Sequence, residues 1–130
     1  IVPILEELGV DLVLTGHSHD YERSWFMAGH YGPSWTFGPG MKKAEGPGRE
    51  AEGGAYRKPL GAHPRSGSVY VVAGSSGQVG RIFAGLNHPA MVVSLARRGS
   101  LALEVDGLKL TVKFLSDTST LDDLFTIEKR

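Results

Sequence analysis

Apolar residues fall in short runs along this chain, and the spacing inside each run predicts its element. Ile1, Ile4, Leu5 and Leu8 recur at helical spacing while Glu6 and Glu7 point elsewhere, so the opening segment reads as an amphipathic helix. Gly9 follows at the place where a helix takes its left-handed closing residue. The run "VDLVLT" at residues 10–15 is apolar and partly β-branched, which reads as a buried strand. Further strands are expected over Val69–Ala73 in "SVYVVAGSSGQVG" and over Met91–Leu95 in "LNHPAMVVSL". In "SLALEVDGLKLTVKFL" two alternating runs flank Asp106-Gly107, a dipeptide favoured in type I′ turns, so Val105 and Leu108 should face each other across a hairpin. Leu101, Leu103 and Val105 would then share a face with Leu108, Leu110, Val112 and Phe114. "LFTIEK" alternates again and adds a last strand after "SDTSTLDD". The expected fold class is α/β with a mixed α+β sheet, ending in antiparallel hairpin strands.

Composition changes over residues 27–67, which hold ten of the 18 glycines and five of the seven prolines. Irregular loops longer than about 15 residues are uncommon inside a compact domain and are usually functional or mobile. Tyr31, Trp35, Phe37 and Tyr56 are threaded through this one and are expected to pin it to the body. At 130 residues and 41% hydrophobic content, the whole of 1–130 suits one domain or part of one. Lys plus Arg equals Asp plus Glu at 14 each, so no bulk charge points to nucleic acid or an anionic membrane, and neither is expected as a partner. No run of about 18 apolar residues is present to cross a membrane as a helix. The chain has no cysteine, so any metal must be held by His, Asp, Glu, Asn or Tyr. It opens inside the first helix without an initiator Met or a signal-peptide pattern, which reads as a truncated or processed chain.

The residues with the most chemistry lie in "LVLTGHSHDYERS". His17 and His19 are two apart, so at a strand end both can be aimed at one spot, and Gly16 allows a sharp turn before them. Imidazole is the commonest metal ligand, and two suit a site for Zn, Mn, Fe or a pair of ions. The string "GHSHDYERS" resembles the last metal-binding block, GHxHxYER, of the calcineurin-like metallophosphoesterases, in particular the purple acid phosphatase branch. "GSVYVVAGSSG" and "DGLKLTVKFL … DLFTIEK" resemble later segments of bacterial members in the same order. The resemblance implies the C-terminal portion of a four-layer αββα sandwich that hydrolyses small phosphate esters or anhydrides at two metal ions, Fe with Zn, Mn or Fe. By the same resemblance His17 would bind the divalent ion and His19 the ion that is ferric in purple enzymes. The family's aspartate, GDxxY and GNH(E/D) blocks and its upstream histidine are absent here, so this chain alone is not expected to be active. The branch is often exported, which makes an extracytoplasmic location the expectation. Oligomeric state is not legible.

Other candidates carry plainer readings beside functional ones. Asp20 could accept a histidine N–H, but a surface role is the preferred reading. Tyr21, Glu22 and Arg23 match the family string, and Glu22 with Arg23 reads as a structural ion pair. His30, His63 and His88 are isolated and read as loop or core residues; His88, after a Gly-rich loop, is kept as a catalytic candidate. "GSSGQVG" lacks the Lys-Ser/Thr of a phosphate-binding loop and reads as a tight strand exit. Arg49, Arg57, Lys58 and Arg65 stand near Glu45, Glu50 and Glu52 and read as a solvated surface. An amidohydrolase barrel also places HxH at a strand end, but needs helices between its strands, where this chain ends in consecutive hairpins. A β-rich, non-catalytic binding module with structural histidines and an inactive truncated phosphoesterase are the remaining alternatives.

Overall fold

The computed structural model describes residues 1–80 and 86–130. Pro3 lies in the first helical turn, where its missing N–H costs nothing, and Val2–Glu7 forms one short helix, α1. Gly9 then takes φ 69° as the chain turns away. Eight strands follow among the described residues: β1 (Leu12–Thr15), β2 (Tyr21–Ser24), β3 (Tyr56–Lys58), β4 (Val69–Ala73), β5 (Met91–Leu95), β6 (Gly99–Asp106), β7 (Lys109–Ser116) and β8 (Leu121–Lys129).

They form two mixed four-stranded sheets, ordered β1-β4-β2-β5 and β3-β8-β7-β6. In the first, β1 runs parallel to β4, while β2 is antiparallel to β4 and β5. In the second, β3 runs parallel to β8 and the rest is antiparallel. Alternate side chains of each sheet meet in one core: Tyr21, Val69 and Val71 from the first, Val112, Phe114, Phe125 and Ile127 from the second. Tyr21 stacks on Phe114 with ring centroids 4.1 Å apart. The fold is therefore mixed α+β, mostly strands, with a hairpin-rich end as the alternating runs predict.

Three local expectations are corrected. The apolar stripe of α1 does not face the core: Ile1, Ile4 and Leu8 are largely exposed, and Glu6 is buried instead. A helix of six residues buries little area, and this one docks through its carboxylate, which accepts hydrogen bonds from Gly29 N, Tyr31 Oη and Tyr70 Oη. The hairpin pairs Asp106 with Lys109 and Val105 with Leu110, leaving Gly107-Leu108 as the two-residue loop. The register moves by two residues, so every side chain keeps its expected face except Leu108, which joins the turn. The Gly/Pro-rich excursion, finally, is not wholly irregular. It contains β3 and three short 3-10 turns, and Met27 bridges both Lys42 and Ser68 to close it at its base. Tyr56 pins it by stacking on Phe26 at 5.0 Å, whereas Trp35 is 82% exposed and anchors nothing.

Candidate metal centre

The parallel strands β1 and β4 end together, Thr15 opposite Val72, so the turns that follow them emerge side by side. The carboxyl ends of parallel strands are where open α/β sheets bind ligands, because side chains there are carried on turns held by rigid neighbours. Residues 16–20 form the first of these turns. His17 takes φ 75°, the left-handed region that costs a non-glycine residue energy. His17 and His19 are both solvent-exposed, and neither imidazole is hydrogen-bonded among the described residues.

The second turn, residues 74–80, packs directly against the first. Gly74 N–H donates to Asp20 O at 3.2 Å, and Gly80 N–H donates to His19 O at 2.8 Å. Asp20 is thereby drawn into the sheet entrance and is buried, which overturns its expected surface role. Its Oδ1 has no hydrogen-bond partner among the described residues.

Below the turn, Tyr21 and Arg23 point inward from β2 toward Asp123 on β8. Tyr21 Oη donates to Asp123 Oδ2 at 2.7 Å, Arg23 Nε to the same oxygen at 2.6 Å and Nη2 to Oδ1 at 3.0 Å. Arg49 Nη2 adds a fourth donor at 2.8 Å. The expected Glu22–Arg23 pair does not form, because neighbours on a strand point to opposite faces. Glu22 instead accepts a hydrogen bond from Ser94 Oγ. Burial and the Asp123 carboxylate raise the Tyr21 pKa together. For Arg23 burial opposes the charge, but the hydrogen bond to Asp123, the charge of that carboxylate and the neighbouring tyrosines together outweigh it and hold the pKa above the ordinary value. For Asp123 burial favours the neutral acid, yet the donors from Arg23, Arg49 and Tyr21 prevail and hold its carboxyl below the ordinary range.

The remaining candidates lie elsewhere. His88 precedes Met91, which pairs with Ser24 at the far end of β2, so the length of that strand, roughly 13 Å at about 3.3 Å per residue, separates it from the two histidines. It therefore does not join them in one site. Its Nδ1 accepts from Ala90 N–H, and its ring meets that of His30 edge-on at 5.9 Å. His63 contacts Leu60 O. Of the supposed surface cations, Lys58 is buried: its ammonium donates to Gly9 O, Val10 O and Gly67 O and faces Asp11 Oδ1 at 3.0 Å. Burial pulls its pKa down against the pull of Asp11. Arg65 pairs with Glu7 at the surface as expected of that group.

Asp123 escaped the sequence reading although a signal existed. It alternates with Phe125 and Ile127, so an acid sits at an inward position of an apolar strand face and demands a cation.

Among the described residues no group of three or more His, Asp or Glu side chains comes together to hold a metal ion. Two exposed imidazoles do not make a closed donor set for one ion, and the residues present do not fit a dinuclear centre. No family model and no curated protein matches the chain. A solved structure does: the purple acid phosphatase isolated from yellow lupin (Lupinus luteus) seeds, with a TM-score of 0.65 and 20% sequence identity, covering 97% of this chain and 19% of that one. The likeness is one of fold, and this chain spans about a fifth of the length of the lupin chain.

Proposed function

We propose that this chain is part of a metal-dependent phosphoesterase domain and that the intact protein hydrolyses a small phosphate ester or anhydride, with His17 and His19 among its metal ligands. The observation that carries the reading is the position of the two imidazoles. They lie on one turn at the carboxyl ends of parallel β1 and β4, in a fold shared with part of a purple acid phosphatase. The chain's own part in the chemistry is to hold two nitrogen donors on a turn whose far side is fixed by β2. The other ligands belong to the intact protein outside this chain, and a location outside the cytoplasm accompanies this reading.

The test is hydrolysis of a generic phosphomonoester by the intact protein. Activity should vanish on dialysis against a chelator, return with Zn, Mn or Fe, and fall by orders of magnitude in His17→Ala and His19→Ala with the fold retained. Hydrolysis that ignores the chelator would count against metal chemistry. Unchanged metal content in both histidine variants would favour the binding-module alternative.

A further inference from the structure

The glycine-rich turn at residues 74–80 looks like no more than a strand exit in the sequence, but it lies against four successive residues of the histidine turn, His17 to Asp20. A Cβ at Gly74 would overlap Ser18 O and lie 3.3 Å from His17 N. No side chain fits there unless the backbone between the two histidines moves. The Gly74 and Gly80 amides meanwhile donate to Asp20 O and His19 O. We infer that Gly74 and Gly80 are positioning residues: their turn is the wall against which the backbone of residues 17–20 is set, and it decides where both imidazoles point.

This inference rests on the reading of His17 and His19 as metal ligands, but its test reads geometry first. Gly74→Ala in the 130-residue protein should shift the backbone amide and imidazole NMR signals of His17 and His19. It should also weaken the response of those signals to added Zn²⁺ by about 10-fold, the lower end of what loss of a ligand-orienting contact costs. Gly9→Ala is the control. It strains a left-handed residue and puts a Cβ 2.9 Å from His63 N at the opposite end of β1, so it should lower stability without moving the histidine signals. If Gly74→Ala does not fold, Gly80→Pro removes the N–H that His19 O accepts and is read the same way. Unmoved histidine signals in Gly74→Ala, or equal movement in Gly9→Ala, would overturn the inference. The shifts in the variants decide whether the turn is braced, whatever the Zn²⁺ affinity of the 130-residue protein, while the metal reading stands or falls separately with the chelator sensitivity of the intact protein.

Discussion

Arg23 and Asp123 meet with both side chains fully shielded from water, and Asp123 spends its acceptor capacity on Tyr21, Arg23 and Arg49. Such a pair is weak evidence for net stability when compared with an apolar pair, but removing one member leaves a buried charge without compensation. Asp123→Ala should therefore lose about 3–5 kcal/mol in urea unfolding. A loss below about 1 kcal/mol, the range of exposed pairs, would show that Arg23 reaches water or another acceptor. The same carboxylate makes stability depend on pH in one direction. Its folded pKa is depressed, so its contribution is complete above the ordinary carboxylate value of about 3.9 and is lost as the pH falls through the lower folded value. The urea midpoint of the wild type should drop more steeply below about pH 4 than that of Asp123→Asn. Parallel curves for the two proteins would assign the acid sensitivity to other carboxylates.

Among the elements, α1 and the β6–β7 hairpin show how a local pattern can be right in kind and wrong in detail. The helical spacing of Ile1, Ile4, Leu5 and Leu8 does produce a helix, yet spacing says nothing about which neighbour is present to receive the stripe. Here the receiving groups are two tyrosine hydroxyls and an amide, so Glu6 turns inward. In the hairpin, Gly107 takes φ 55° at the first position of the two-residue loop, where a positive φ is required. Asp106 belongs to the last strand pair. Gly107→Ala should cost about 1 kcal/mol from the left-handed penalty, and Asp106→Ala less than about 0.5 kcal/mol, as at ordinary surface positions. Equal costs in thermal unfolding would restore Asp106-Gly107 as the turn centre.

For the whole molecule, the ties between sheets run across the chain's length: Tyr21 and Arg23 to Asp123, Lys58 and Lys129 to Asp11. Because both sheets share one core and these pairs, unfolding should be a single transition. Far-UV circular dichroism and the fluorescence of Trp25 in a Trp35→Phe variant should give superimposable curves. Separate transitions would divide the sheets into independent units. What could be read along the chain was whatever has a local cause. Strands β4 and β5 follow from β-branched apolar runs, the last three strands from alternation, and the histidine turn from a glycine placed after an apolar run. β3 was hidden because three residues with two cations carry no alternation, and Lys58 passed for surface for the same reason. The burial of Glu6, the partner of Arg23, the distance of His88 from the histidine turn and the bracing role of Gly74 were settled by folding. Each depends on residues between 20 and 100 positions apart being brought to one place by strand pairing, and no periodicity in a single sequence records such a meeting.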